Sequence, residues 1–236
     1  MIIFTIIPTY NERENIQLLI PRLLEVFEKH DIDGRIIIVD DSSLDGTGEI
    51  AEGFARKSGR ILLLNRHRKL GIGSAYKDGF RYALSLGYEG IIGMDADLSH
   101  NPSFIPEFVN KLNEGYDLVI GSRYIPGGKV PNWTFTRRII SRLTNRAIRI
   151  ILSLRTRDAT SGYRAYSSRA LNEVDFSSVK SDGYAFQVEM VMRCDRAGLR
   201  ICEIPITFVD RSQGKSKLGK REMLSFLKSI ILLAFE

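Results

Sequence analysis

The 236-residue chain is poor in the residues that staple, ligate or span. Its two cysteines, Cys194 and Cys202, cannot build a disulfide framework or a four-cysteine zinc site. The three histidines, His30, His67 and His100, are scattered, which argues against a histidine-rich metal centre. No uninterrupted apolar run reaches the ~18 residues a spanning helix needs. Ile2–Ile7 is apolar, but no basic segment precedes it and Pro8 ends it, so it reads as a buried strand and not as a targeting signal. No internal repeat or low-complexity linker is present. Gly71-Ile-Gly73 lacks the rest of a dinucleotide fingerprint, and no Walker-type phosphate loop or Gly-x-Ser-x-Gly elbow occurs. Hydrophobic residues at 44% and charged residues at 26% exclude wholesale disorder.

Charge is plentiful and unevenly placed. Residues 1–120 hold 13 basic and 18 acidic residues, a net −5. Residues 121–236 hold 21 basic and 10 acidic, a net +11. A basic half joined to an acidic half suggests an anionic partner at one end of the protein.

Short apolar runs alternate with helical patterns through residue 121. Strands are expected at Ile2–Ile7, Ile36–Val39, Ile61–Leu64, Ile91–Met94 and Asp117–Ile120. Helices are expected from near Asn11, with Glu14 completing a capping box, from Gly46 to Lys57, and from Gly71 to Leu86. This alternation indicates an α/β fold with a mostly parallel sheet. The second half predicts a long basic helix over Phe135–Leu154 and a helix over Ala185–Arg196. Short strands at Ile201–Glu203 and Ile206–Val209 and a terminal amphipathic segment, Glu222–Phe235, follow. We read one domain over 1–236 with a functional division: residues 1–121, residues 122–220 and an amphipathic helix over 221–236.

In parallel sheets ligands bind beyond the carboxyl ends of the strands. Pro8–Glu12, Asp40–Asp45 and Asp95–Ser99 each follow a strand there, and are expected to converge. Asp95 and Asp97 flank Ala96, and two close carboxylates suit a divalent cation such as Mg²⁺ or Mn²⁺ carrying nucleotide phosphates. The same residues also suit a helix cap before Pro102. Asp40 and Asp41 can accept from a ribose or a base, or simply build a turn. Tyr10 can stack on a base and Glu12 can accept from ribose hydroxyls. Arg138, Arg142, Arg146 and Arg149 form one stripe of the basic helix, opposite Ile139, Ile140, Leu143, Ala147, Ile150, Ile151 and Leu154. That pattern fits an anionic membrane surface, or an ordinary helix packed by its apolar side on the sheet. Arg211-Ser-Gln-Gly-Lys-Ser-Lys217 suits a loop closing over phosphates, or a solvated surface loop.

Six segments occur in order: Pro8-Thr-Tyr-Asn-Glu12, Val39-Asp-Asp-Ser-Ser-Leu-Asp-Gly-Thr47, Asp95-Ala-Asp-Leu-Ser-His100, Gly121-Ser-Arg-Tyr124, Asp158-Ala-Thr-Ser-Gly-Tyr-Arg164 and Gly214-Lys-Ser-Lys217. Together, over about residues 2–220, they resemble the dolichyl-phosphate mannose synthases of the inverting family-2 glycosyltransferases. The resemblance implies a GT-A (Rossmann-like) fold and transfer of mannose from GDP-mannose to dolichyl or polyprenyl phosphate. It implies that Pro8, Tyr10, Glu12, Val39 and Asp41 hold guanosine, and that Asp95, Ala96 and Asp97 form the metal and diphosphate site. It places Arg123, in the Gly-Ser-Arg segment after the fifth strand, among the catalytic residues, sets Arg137 and Ser141 as a pair facing the acceptor phosphate, and puts Arg211 and Lys217 in the loop that closes over the phosphates. Many relatives carry Gln where this chain has Ser99, which leaves a third protein ligand in doubt. Some relatives continue into membrane helices; attachment here is expected through amphipathic helices, partner anchor subunits or a segment not present. Two free thiols and no signal peptide favour the cytoplasmic face of a membrane. A polyprenyl-phosphate glucosyltransferase is the near alternative. A nucleic-acid-binding protein is the distant one, disfavoured because paired acids at the strand ends repel a phosphate backbone.

Overall fold

The computed structural model describes residues 1–210 and 220–235, without the side chains of 220–224. A seven-stranded sheet organises them, in the order β3-β2-β1-β4-β6-β5-β7. The strands are β1 Ile2–Thr9, β2 Asp33–Asp40, β3 Ile61–Asn65, β4 Gly90–Gly93, β5 Leu118–Ser122, β6 Arg164–Ser167 and β7 Ile201–Pro205. All run parallel except β6, which is antiparallel to both of its neighbours, β4 and β5. The expected mostly parallel α/β architecture is therefore the one observed.

The central strands are apolar on both faces because both are covered by helices. Phe4, Ile6, Ile37 and Val39 point into one core with residues of α3 (Ile72–Ser85) and α7 (Gly183–Arg196). Ile3, Ile7, Ile36 and Ile38 point into the other, with α1 (Arg13–Lys29) and α4 (Ile105–Asn113). The two-residue alternation of β1 and β2 thus fills two cores, each fully buried isoleucine contributing about 1.5–3 kcal/mol. The remaining helices are α2 Thr47–Lys57, α5 Phe135–Ile151, α6 Ser168–Glu173 and α8 Lys220–Leu233.

Three expectations change. No capping box opens α1. Asn11 adopts φ 57°, a conformation asparagine tolerates, and its Oδ1 instead accepts from the Leu44 amide at 3.0 Å. Ile206–Val209 is not a strand. Pro205 ends β7, and among the described residues beyond it a single isolated bridge remains, Lys129 to Thr207. Strand β6 was not anticipated, and it is the strand that joins the two halves of the sheet.

Candidate active site

Register places the ends of β2, β1 and β4 side by side: Thr9 opposite Asp40, and Ile6 opposite Gly93. The three polar clusters therefore converge as expected. Thr9 donates to Asp40 at 2.8 Å, the Asn11 amide to Ser43 at 2.9 Å, and the Glu12 amide to Thr47 at 2.9 Å. Each strand exit contains a non-glycine residue in the left-handed region: Asn11 at φ 57°, Ser42 at 62° and Leu98 at 63°. Strain of this kind persists where surrounding structure over-determines it, and it gathers at functional sites.

The turn at Leu98 folds Ser99 back onto Asp97. The Ser99 hydroxyl and amide donate to Asp97 Oδ1 at 2.6 and 3.1 Å, which fixes that carboxylate. Ser99 is buried and its proton is spent on Asp97. Among the described residues no group of three or more His, Cys, Asp or Glu could hold a metal ion. The two carboxylates Asp95 and Asp97 offer oxygen donors alone. Such a pair would suit Mg²⁺ or Mn²⁺.

Asp95 is positioned from behind. Its amide donates to His100 Nδ1 at 3.0 Å, and His100 Nε2 lies 3.8 Å from its carboxylate. Burial lowers the His100 pKa, against the nearby carboxylates Asp95 and Asp97, which raise it. The neutral ring accepting at Nδ1 carries its proton on Nε2, facing Asp95. Tyr163 stacks on His100 at 4.8 Å and Phe208 meets it edge-on at 5.6 Å. On the other side of β4, Arg164 of β6 is wholly buried opposite Gly93, its guanidinium donating to the carbonyls of Ser161, Gln187 and Ala159. Sequence reading missed the positions of both His100 and Arg164. The only signal was their place at the ends of the segments 95–100 and 158–164.

At the end expected to take the nucleoside, Pro8 and Val39 pair across β1 and β2, and the Val39 side chain is buried in the core. Any ligand contact at Val39 must therefore use the backbone. Asp41 is buried and accepts from Arg66 Nη1 at 2.9 Å and from the Leu70 and Gly71 amides at 3.0 Å. Lys69 lies over the Tyr10 ring, 3.7 Å from its centroid. The Glu12 carboxylate accepts from Asn15 at 2.6 Å. The 66–71 loop thus rests on Tyr10 and Asp41, two of the residues expected to meet the base. The N-terminus of α3 is not a phosphate cradle: the Asp182 carboxylate accepts from the Gly73 amide at 2.7 Å, and a Cβ on Gly71 would collide with it.

Arg123, Arg137 and Ser141 belong to a second cluster. Arg123 Nε and Nη2 grip Asp158 at 2.8 and 2.7 Å, and its amide donates to the same carboxylate at 2.9 Å. Burial opposes both charges; the pairing wins, raising the Arg123 pKa and lowering that of Asp158. Arg123, expected among the catalytic residues, is largely committed to holding the 158–160 turn. Its guanidinium sits 5.3–5.5 Å from the rings of Tyr124, Trp133 and Phe208. Arg137 lies 4.2 Å over Trp133 and pairs with Asp210 at 2.5 Å. Ser141 accepts from the Tyr124 hydroxyl at 2.6 Å. Phe208 touches both His100 and Trp133, so one continuous run of rings joins the carboxylate pair to Arg137. Arg211 and Lys217 lie outside the described residues.

Residues 4–175 match the model described as glycosyl transferase family 2. Undecaprenyl-phosphate mannosyltransferase of Micrococcus luteus is 44% identical over 219 residues, 93% of this chain and 88% of that protein. Polyprenol monophosphomannose synthase of Mycolicibacterium smegmatis is 41% identical over 215 residues, 91% of this chain and 80% of that protein. The fold is similar to that of glucosyl-3-phosphoglycerate synthase from Mycobacterium tuberculosis, solved with Mn²⁺, UDP-glucose and phosphoglyceric acid. That match has a TM-score of 0.71 at 20% identity and covers 99% of this chain and 80% of the other.

Proposed function

Because the chain belongs to glycosyl transferase family 2, we propose that it transfers mannose from GDP-mannose to a polyprenyl phosphate with inversion, making polyprenyl phosphate mannose. The observation that carries this reading is that relatives above 40% identity, each spanning more than 90% of this chain, are named for mannose and a polyprenyl phosphate. We state the acceptor as a polyprenyl phosphate, with dolichyl phosphate as one member of that class. The unit is read as 1–121 for the donor, 122–220 for the acceptor and 221–236 as a terminal helix.

The residues divide the work by charge. Asp95 and Asp97 would hold a divalent cation, which when bound neutralises the charge of the departing diphosphate. Ser99 and His100 hold those carboxylates in place. Pro8, Tyr10, Glu12, Val39 and Asp41 line the nucleoside end, where Lys69 and Arg66 must yield or share their contacts. The attacking phosphate is already an anion, so it needs positioning more than a base. Arg137 and Ser141 would orient it, with Arg211 and Lys217 adding charge; Arg123 acts by fixing the Asp158 turn and the aromatic run. A single in-line displacement follows, with no sugar on the protein. No helix among the described residues is long and apolar enough to cross a membrane. The acceptor is a membrane lipid, and we place the reaction at the cytoplasmic face, where the two free thiols suit a reducing compartment.

A panel of nucleotide sugars tested with purified protein, a polyprenyl phosphate and Mg²⁺ or Mn²⁺ decides it. Transfer from GDP-mannose alone is expected. Transfer from UDP-glucose with none from GDP-mannose overturns the reading.

A further inference from the structure

Strand β3 is one edge of the sheet, and its last residues, the loop that follows and part of α3 surround a cavity of about 560 Å³. The proposed reaction does not use it: none of Pro8, Tyr10, Glu12, Val39 or Asp41 lines it. Leu64, Leu70 and Tyr82 supply apolar lining. Arg66, His67, Arg68 and Arg81 set four basic groups against one carboxylate, Asp78. That carboxylate is already shared, 2.8 Å from Arg81 Nη1 and 3.2 Å from Arg66 Nε. Arg66 is only 7% exposed, and its buried Nε makes no hydrogen bond, because Asp78 lies out of line for one. A buried donor left unmade costs free energy that an added acceptor would recover. The Arg68 side chain has neither an ion pair nor a hydrogen bond among the described residues.

We propose that this cavity binds a phosphate monoester carrying an apolar or aromatic body. Arg66 Nε, Arg68 and Arg81 take the phosphate, and Leu64, Leu70 and Tyr82 take the body. The volume lies within the range of about 300–1,000 Å³ that suits an organic ligand, and inorganic phosphate alone would leave the apolar lining wet. The site also reaches Asp41. Arg66 Nη1 donates to Asp41 at 2.9 Å and to the Gly71 carbonyl at 3.4 Å, and Nη2 donates to Ser74. A phosphate on Nε shares the charge of that guanidinium and leaves Asp41 freer to accept from a nucleoside. Filling the cavity should therefore tighten the nucleotide, and the nucleotide should tighten the cavity ligand by the same factor. This coupling rests on the proposed function; the site itself does not.

The test is isothermal titration calorimetry of the full chain with 1-naphthyl phosphate, and with 1-naphthol and inorganic phosphate as its two halves. The whole probe should bind below millimolar, and each half about tenfold more weakly or worse. Arg68→Ala/Arg81→Ala should weaken the probe about tenfold. Asp78→Asn, which removes the carboxylate that opposes a phosphate, should tighten it about threefold or more. A loss and a gain at neighbouring positions cannot both come from misfolding. Adenosine monophosphate and geranyl phosphate offer the same chemistry from two sources. At least one should bind and weaken in the double variant, and the tighter of them identifies the body. No heat at millimolar probe, inorganic phosphate as tight as the whole probe, or wild-type binding by the double variant overturns the proposal. So does displacement of the probe by GDP, which would put both in one site. Saturating probe should tighten GDP about fivefold, and an unchanged or weaker GDP affinity overturns the coupling. If the wild type binds the probe but not GDP, the cavity stands and the donor reading falls.

Discussion

Replacing Asp158 with Ala should cost more stability than its distance from the reacting groups suggests. The carboxylate is fully buried and accepts the Arg123 amide at 2.9 Å, Nε at 2.8 Å and Nη2 at 2.7 Å. Alanine leaves the guanidinium, itself only 8% exposed, without a counter-charge. Breaking a buried pair by removing one partner costs about 3–5 kcal/mol. At about 2–4 °C per kcal/mol for a domain of this size, the melting temperature should fall by about 6–20 °C. Circular dichroism during heating and urea unfolding both read it. Arg123→Met with Asp158→Leu should recover much of the loss, because apolar groups of similar volume leave no stranded charge. The pH dependence has a definite sign. The Asp158 pKa is depressed in the folded state, so the pair contributes fully above the ordinary carboxylate range and is lost as pH falls through the lowered value. The alanine variant should lack that part of the acid slope. A loss under about 1 kcal/mol would refute the view that this pair pins the 158–160 turn.

Asp97→Asn should lower transfer about a hundredfold or more and weaken Mn²⁺ binding seen by electron paramagnetic resonance; unchanged transfer removes the metal role. His100→Phe fills the ring's volume but cannot face Asp95 with an N–H. Divalent-cation affinity should fall about 10–100-fold with little change in melting, and equal affinity would detach His100 from Asp95. Gly34→Ala would put a Cβ 2.5 Å from the Phe27 ring. It should cost about 1–3 kcal/mol in urea unfolding, and a neutral result would mean that the ring retreats freely.

What the sequence made legible follows physical rules with short reach. β1, β2 and β4 were visible because buried parallel strands are continuous apolar runs, and their polar exits converge because ligands gather at one end of such a sheet. Other features depended on distant partners. Asp41 reads as a ligand for a base, but its partners lie at Arg66, Leu70 and Gly71. β6 is four residues beginning with a buried arginine, a poor strand by pattern, made tolerable by three carbonyls that only the folded chain supplies. For α5, periodicity reveals two faces and not which one turns inward; Asn145 and Ser141 decide that through Thr160 and Tyr124.

The antiparallel strand also bears on how the molecule assembles. β1, β2 and β3 follow one another closely in sequence, but β1 must close a loop of about 80 residues to meet β4, and β6 one of about 70. Only then does Gly162 reach Asp95, where a Cβ would lie 3.5 Å from Oδ1. A nascent chain that has emerged only as far as α5 would leave the β4 edge open to pairing with another chain. The pairing of β6 is therefore one of the long-range closures that folding requires, and until it occurs the β4 edge is not protected from aggregation.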